Sequence, residues 1–210
     1  IEDLSVKFYF EKLWPDFLLA IEMIDKFTAV GGHATFLVVG TLLNNDNDER
    51  ITHAIEAGCE LGGHSYRHIS LNKVDDPAVI EANLLAPYNI MKARYNYDMS
   101  ITRLPNLAAN DLVFEVAQKL NMPLIGTGMD GARDWNPEVP AEEIAPKVIA
   151  SAYDGGICCL HVNERTCKAL DTILPTLKEQ GYEFVTVSEL FKIKDFTPPY
   201  FEQIKGTTTL

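Results

Sequence analysis

The sequence is poor in positive charge: 18 lysines and arginines stand against 30 acidic residues, a formal net charge of -12 at pH 7. Such a chain repels the phosphates of nucleic acids and the head groups of anionic membranes, so neither is an expected partner. Long apolar runs are also missing, since none approaches the roughly 18 residues that a membrane-spanning helix needs. Neutral ligands such as sugars, or cationic ones, fit this composition better.

Cysteine is scarce as well, with four residues in the chain. The spacing of Cys59, Cys158, Cys159 and Cys167 matches no zinc ribbon, and the adjacent pair cannot easily form a disulfide with each other. We expect buried free thiols, which leaves secretion undecided. The remaining composition, 47% hydrophobic and 23% charged over 210 residues, is that of a globular protein with one large core.

Strand-like and helix-like segments alternate about seven times along the chain. The predicted strands are residues 4–10, 34–39, 60–64, 101–104, 124–127, 156–161 and 183–187. The predicted helices are 17–27, 49–57, 75–95, 111–120, 141–152 and 167–180, followed by a helical turn capped by Ser188. This order predicts a parallel α/β fold, either a closed barrel or a doubly wound sheet. Residues 1–196 are expected to form this domain, and residues 197–210 a terminal arm or linker.

Two histidines follow a pair of glycines in Gly62-Gly63-His64-Ser65-Tyr66-Arg67-His68. If the segment is helical or tightly turned, both imidazoles can point the same way and supply half of a tetrahedral metal site. The glycines would let the backbone turn sharply and approach a ligand closely. The alternative is one surface histidine and one packed histidine.

Other polar candidates follow predicted strands, where the functional residues of a parallel barrel are found. Besides His64, these are Arg103, Asp134 and His161. Taken singly, Arg103 fits a surface cation, Asp134 a helix or turn cap, and His161 a satisfied buried histidine. Their shared position at strand ends favours a common site.

Four segments in order carry a resemblance to a known family. They are His64-Ser65-Tyr66-Arg67-His68, Arg103-Leu104-Pro105-Asn106, Asp130-Gly131-Ala132-Arg133-Asp134-Trp135 and Cys159-Leu160-His161. Their order and spacing resemble the polysaccharide deacetylases, the NodB-homology group of carbohydrate esterase family four, which includes chitin and peptidoglycan deacetylases and acetyl xylan esterases. The resemblance implies a distorted (β/α)7 TIM-like barrel and metal-assisted removal of acetyl groups from sugars.

The resemblance also implies roles for the residues on the metal and base side of the site. His64 and His68 match the two metal-binding histidines, and the metal would be divalent, with zinc or cobalt expected. Arg103 matches the arginine that holds the catalytic base. Asn106 stands where a backbone N–H helps to form the oxyanion hole, and asparagine at this position favours acetyl xylan esterases.

A second group of residues matches the leaving-group side. Asp134 corresponds to the carboxylate that orients the catalytic histidine, and His161 to that histidine, the general acid. Trp135 and Cys159 correspond to residues that line the acetyl pocket, with a core position as the alternative for Trp135. A histidine backed by a carboxylate has a fixed tautomer and can donate a proton.

The family's first motif, Thr-Phe-Asp-Asp-Gly, is missing. In an ungapped comparison its two aspartates, base and third metal ligand, fall on Tyr9 and Phe10. Glu11 is one residue beyond this pair. Aligning it with the motif requires a shifted register, which would turn its side chain to the other face of a strand. We therefore expect activity to be reduced or lost and metal to be weakly bound or absent.

The resemblance implies a secreted protein that acts on acetylated polysaccharide such as xylan and belongs to a larger multidomain enzyme. No signal peptide opens the chain, which fits a mature protein or an excised domain. One alternative is a non-catalytic carbohydrate-binding domain, with Tyr9 and Phe10 stacking on sugar rings at the substrate pocket. Another is a hydrolase of small cyclic amides on the same fold.

Overall fold

The computed structural model describes residues 4–11 and 17–193, and the predicted arm at 197–210 lies outside these ranges. The described strands are β1 (Leu4–Glu11), β2 (Thr35–Val38), β3 (Glu60–Gly63), β4 (Gly156–His161) and β5 (Tyr182–Phe184). The described α-helices are α1 (Phe17–Ala29), α2 (Asp48–Glu56), α3 (Pro77–Tyr95), α4 (Asp111–Lys119), α5 (Ile144–Ala150), α6 (Glu164–Glu179) and α7 (Val187–Ile193). None of these helices is long and apolar enough to cross a membrane.

All pairings in the sheet are parallel. The strands run in the order β3-β2-β1-β4, and β5 also pairs with β1. Beyond β3 the sheet continues through bridges from Gly63 to Thr102 and from Thr102 to Leu124, and Met129 bridges Cys158 of β4 at the other edge. The sheet therefore curls round into a distorted α/β barrel, as predicted.

The predicted strands at 101–104 and 124–127 are wrong as regular strands, because each is reduced to a single bridge residue. A proline lies beside each bridge. Pro105 restricts the backbone of Leu104, and Pro123 has no N–H to donate, although its carbonyl accepts from Thr102 N at 2.9 Å. Prolines therefore shorten the pairing on this side of the barrel.

Aromatic rings fill the layer between β1 and the outer helices. The ring of Phe8 lies 5.5 Å from that of Phe27 in α1 and 5.9 Å from that of Phe184 in β5, and Phe27 meets Phe184 edge-on at 6.0 Å. All three side chains are buried. Such pairs contribute about 0.5–1.5 kcal/mol each beyond the burial of their area. They fix α1 and β5 against the central strand.

The smallest of three buried clusters lies on the inner side of the barrel strands, apart from the main core and from a second cluster around Leu71, Ile80 and Leu84. Its buried members are Leu37, Ile101, Ile125 and Val187, with Ile157, Cys159 and Phe191 packed against them. Cys59, Cys158 and Cys167 are buried free thiols, as predicted, and burial raises the pKa of Cys59 to about 11. Cys159 is instead partly exposed, since alternate residues of β4 face opposite sides and it shares its side with Ile157 and His161.

The helix ends follow local capping rules. Asp76 accepts from Ala78 N at 2.8 Å with Pro77 in the first helical position, so α3 begins where the sequence predicts. The prediction that Ser188 caps the last helix is wrong. Thr186 does so through a capping box, in which Thr186 N donates to Glu189 Oε2 at 2.8 Å and Glu189 N donates to Thr186 Oγ1 at 3.2 Å.

Ser188 binds Glu60 instead, at the amino-terminal end of the barrel. Glu60 is 7% exposed, and its carboxylate accepts from Thr35 Oγ1 at 2.8 Å, Ser100 Oγ at 3.0 Å and Ser188 N at 3.1 Å. The Ser188 hydroxyl also donates to it. Thr35 Oγ1 in turn accepts from Val187 N at 3.0 Å. This cluster ties α7 to β2 and β3.

We predict that Glu60→Gln destabilises the protein by about 2 kcal/mol, because the amide replaces an acceptor oxygen with a donor and leaves a buried hydroxyl unpaired. Urea unfolding measures the loss. Glu56→Gln, on the exposed end of α2, is the matched control and should be neutral. Equal midpoints for the two variants would contradict the role given to Glu60.

Candidate active site

The loops that follow the strands converge on the carboxyl-terminal face of the barrel, since all strands run the same way. Most of the backbone conformations with positive φ also lie in these loops. Eight non-glycine residues of the described chain have positive φ, and six of them lie here: Ser65, His68, Asn106, Leu107, Ala132 and Arg133. Such conformations cost free energy and concentrate at functional sites. This face is therefore the candidate site.

His64 is fully buried directly after β3. Its backbone N–H donates to Val38 O at 3.0 Å, and its Nδ1 lies 2.9 Å from the carbonyl oxygen of Arg103. A carbonyl can only accept, so Nδ1 carries the proton and Nε2 carries the lone pair. Proteins commonly fix a metal-binding imidazole by a hydrogen bond from its other ring nitrogen.

His68 returns to His64 through a tight turn and not through a helix. Its backbone has φ 53° and its N–H donates to Ser65 Oγ at 3.0 Å. The two imidazole centroids are 4.9 Å apart with an interplanar angle of 64°. The structure thus brings together the two histidines singled out by their spacing.

The glycine before His64 is required by close packing. A Cβ on Gly63 would lie 2.7 Å from Thr102 Oγ1 and 2.9 Å from the ring of Tyr88. Thr102 Oγ1 and the Tyr88 hydroxyl are themselves 2.9 Å apart, and burial raises the pKa of Tyr88. β3, Thr102 and α3 therefore pack closely here, and the expectation that the glycines admit a ligand stays a prediction.

Arg103 and Asn106 follow the Thr102 bridge. Arg103 is 5% exposed, so the surface-cation alternative is wrong. Its backbone N–H donates to Gly63 O at 3.0 Å. Asn106 is exposed with φ 57°, and its Nδ2 donates to Ser70 Oγ at 3.1 Å. Asparagine tolerates this left-handed conformation better than most residues.

Asp134 and His161 form the most tightly bonded pair of the site. Asp134 is 1% exposed. Its Oδ1 lies 2.7 Å from His161 Nδ1, and its Oδ2 accepts from His161 N at 2.6 Å and from Thr166 Oγ1 at 2.6 Å. The carboxylate accepts, so Nδ1 carries the proton of this hydrogen bond.

Trp135 and Cys159 flank this pair. Trp135 is 62% exposed, so the core alternative is wrong. Cys159 is partly exposed, and its carbonyl oxygen would lie 2.0 Å from a Cβ placed on Gly131. The loop that carries Asp134 therefore touches the backbone of β4.

The register of β1 bears on the missing first motif. Tyr9 pairs with Cys159 and with Thr35, and Phe10 pairs with Leu160 and Phe36. Glu11 pairs with His161. The acid at the level of His161 is thus Glu11, one residue beyond the pair assigned from the ungapped comparison.

Sequence reasoning missed the first turn of α6. Arg165 donates to the carbonyl oxygens of Asp134 at 2.5 Å, Asn136 at 3.0 Å and Val139 at 2.6 Å. Thr166 donates to the Asp134 carboxylate. Neither contact leaves a signal in the sequence, because the partners lie about 30 positions apart and the residue types are common in helices.

A metal would find two donors here. Within residues 4–11 and 17–193, no three His, Cys, Asp or Glu side chains are grouped closely enough to hold a metal ion. The His64 and His68 imidazoles, whose centroids are 4.9 Å apart, suit zinc or cobalt in donor type.

Comparison with known proteins identifies relatives of this arrangement. Residues 10–125 match the polysaccharide deacetylase family. The chain is 32% identical over 181 residues to a bifunctional xylanase/deacetylase of Pseudobutyrivibrio xylanivorans, covering 85% of this chain and 29% of that protein. It is 31% identical to a peptidoglycan-N-acetylglucosamine deacetylase of Bacillus cereus, covering 86% and 85% of the two chains.

A solved structure is similar as well. A family 4 acetyl xylan esterase from Clostridium thermocellum, in complex with a cobalt ion, superposes with a TM-score of 0.83 at 31% identity, covering 92% of this chain and 93% of that one. The chain thus spans nearly all of this esterase structure but less than a third of the xylanase/deacetylase.

We predict that Gly131→Ala destabilises the protein by about 1–3 kcal/mol, because its Cβ would meet a backbone carbonyl that cannot move aside. Gly128→Ala is the matched control. Its Cβ would meet the hydroxyl of Tyr153, the far end of a 47% exposed side chain, which can rotate away. Thermal unfolding compares the two variants, and a Gly128→Ala loss as large as that of Gly131→Ala would refute the close approach.

Proposed function

The chain belongs to the polysaccharide deacetylase family, and on that premise we propose that it is a metal-assisted hydrolase of acetylated polysaccharide, with acetylated xylan as the favoured substrate. The two relatives named for xylan, at 31% and 32% identity, support this choice. Asn106 supports it too, by its resemblance to acetyl xylan esterases. The Bacillus cereus relative, named for peptidoglycan, makes N-acetylated glycans the comparison substrate.

The Asp134–His161 pair is the observation that carries the proposal. Asp134 is buried with its carboxylate 2.7 Å from Nδ1, so it fixes the tautomer of His161 and stabilises the protonated ring. The His161 side chain is 15% exposed, which gives Nε2 access to a bound substrate. His161 is then the general acid that protonates the oxygen or nitrogen leaving the acetyl group.

His64 and His68 are the residues we propose to hold the metal. When bound there, zinc or cobalt supplies Lewis-acid polarisation of the acetyl carbonyl. The chain contributes the fixed orientation of His64, through its 2.9 Å bond to the Arg103 carbonyl. Because Phe10 stands where the resemblance places the third ligand, an aspartate, we expect weak binding.

Glu11 is our candidate for the general base. It pairs with His161 at the end of β1, whereas Tyr9 pairs with Cys159 one step deeper in the barrel. A base must lie within reach of the water that attacks the acetyl carbon, at the mouth of the site. On this assignment Tyr9 lines the substrate pocket beside Cys159, and the missing carboxylate is the third metal ligand. Activity is then low because the metal is weakly held.

Arg103 and Asn106 complete the proposed machinery. Arg103 is buried after the Thr102 bridge, where its guanidinium can hold the base in its ionised form. Asn106, left-handed and exposed at the mouth, is suited to direct its backbone N–H toward the developing oxyanion.

A non-catalytic carbohydrate-binding domain is the second candidate. The 62% exposure of Trp135 favours it, since an exposed indole beside polar groups can stack on a sugar ring. A site open at Trp135 and Asn106 fits a polymer better than a small cyclic amide.

The wider setting is also a proposal. We infer that residues 1–196 form the catalytic domain of a secreted enzyme and that residues 197–210 lead to other parts of it. The support is the bifunctional xylanase/deacetylase, of which this chain covers 29%.

For metal binding, calorimetric titration with zinc or cobalt should give an affinity well below that of a three-ligand site, and His64→Ala should abolish it. His53→Ala is the control, because His53 lies on α2 and is 2.8 Å from Asp25, in a separate ion pair. Tight binding that survives His64→Ala would exclude the two histidines as the site.

For catalysis, acetate release from acetylated xylan in the presence of cobalt or zinc should be slow in the wild type. His161→Ala and Glu11→Gln should each lower it by roughly 10²–10⁴-fold, as loss of an acid or a base does. Glu56→Gln is the neutral control.

The double change Tyr9→Asp with Phe10→Asp separates the two readings of the first motif. If Glu11 is the base, the double variant gains no more than Phe10→Asp alone, which supplies only the metal ligand. A larger gain from the double change than from Phe10→Asp would instead restore the ungapped assignment. No acetate release by the wild type, together with xylan binding that is lost in Trp135→Ala, would replace the hydrolase by the binding domain.

A further inference from the structure

We propose that Thr166, in the first turn of α6, is a positioning residue for the Asp134–His161 pair. The inference rests on the proposed function, in which that pair delivers the proton. Thr166 is fully buried, and its hydroxyl donates to Asp134 Oδ2 at 2.6 Å. Thr166 touches neither substrate nor metal in this scheme and acts through the carboxylate.

Among the described residues, three donors to the Asp134 carboxylate come from two residues. His161 supplies its Nδ1–H to Oδ1 and its backbone N–H to Oδ2, and Thr166 supplies the third. Without Thr166, both remaining donors belong to the residue that the carboxylate has to orient. The hydroxyl of Thr166 is therefore the contact that fixes the carboxylate from a third element, α6.

The local structure of α6 frees this hydroxyl for the task. Asn163 caps the helix by accepting from Thr166 N at 2.9 Å, so the backbone of Thr166 is satisfied. A helical threonine hydroxyl usually bonds to the carbonyl three or four residues earlier. Here the hydroxyl crosses to Asp134, 32 positions away.

Arg165 holds the same loop from the neighbouring position. Its guanidinium donates to three carbonyl oxygens, those of Asp134, Asn136 and Val139. Arg165 thus anchors the backbone that carries Asp134 and the exposed Trp135, while Thr166 sets the rotation of the carboxylate. α6 thus holds in place the loop that contains Gly131 and packs against β4.

Two substitutions separate the hydroxyl from the rest of the side chain. Thr166→Val keeps the branched shape and removes the donor, whereas Thr166→Ser keeps the donor. Thr172→Val, on the exposed face of α6, repeats the first change away from the site. If Thr166→Val does not fold, Thr166→Cys, with a weaker donor of similar size, takes its place under the same expectation.

The primary measurement is the imidazole N–H resonance of His161 in ¹⁵N-histidine-labelled protein, assigned by its loss in His161→Ala. In wild type, Thr166→Ser and Thr172→Val, we expect a sharp downfield signal from Nδ1–H. In Thr166→Val, we expect the signal to broaden and to exchange with water roughly 10-fold faster, because the carboxylate is no longer fixed. An unchanged signal in folded Thr166→Val overturns the proposal, as does its loss in folded Thr166→Ser.

Acetate release gives the second readout. We expect kcat of Thr166→Val to fall by roughly 10- to 100-fold with KM nearly unchanged, as for a misplaced catalytic group. A rise in KM with kcat unchanged would overturn the positioning role. If the wild type releases no acetate, the proposed function fails, and the resonance of His161 still decides whether Thr166 orients the pair.

Discussion

The six-residue ladder between β1 and β4 is the constraint on which the rest of the molecule depends. It runs from Val6 opposite Gly156 to Glu11 opposite His161, while the other edge of β1 pairs with β2 and β5. A slip of one residue would turn every β1 side chain to the opposite face. The register therefore determines which residues of β1 fill the outer aromatic layer. It also determines that Glu11 is the acid that pairs with His161.

This rigid frame supports a strained site. Backbone conformations that cost free energy accumulate at Ser65, His68, Asn106, Leu107, Ala132 and Arg133, all in loops after the strands. They persist because neighbouring contacts over-determine them, as the Ser65 hydroxyl does for His68 and as Arg165 does for the Asp134 loop. The cost is offset by burial in the three hydrophobic clusters, the largest of which includes Ala132 itself.

Hydrophobic period and the placement of glycine and proline were enough to predict a parallel α/β fold, most element boundaries and the strand-end positions of the candidate residues, whereas the choice of a barrel came from the family resemblance. They failed where the outcome depends on contacts between distant segments. Pro123 weakened a predicted strand, Glu60 drew Ser188 away from its capping role, and α6 began three residues earlier because Asn163 caps it. The register of Glu11 could not be read from one strand alone, because it is set by β4.

The two ends of the barrel each hold a buried carboxylate, and their donors differ. Glu60 accepts only from hydroxyls and a backbone amide among its described contacts, groups that stay neutral at ordinary pH. Asp134 accepts from an imidazole as well as from a hydroxyl and a backbone amide. A carboxylate beside a neutral donor can only hold the fold, whereas one beside an imidazole stabilises the ring when it gains a proton. The same side-chain chemistry thus serves stability at one end and, on the proposed function, proton transfer at the other, and the neighbouring donor makes the difference.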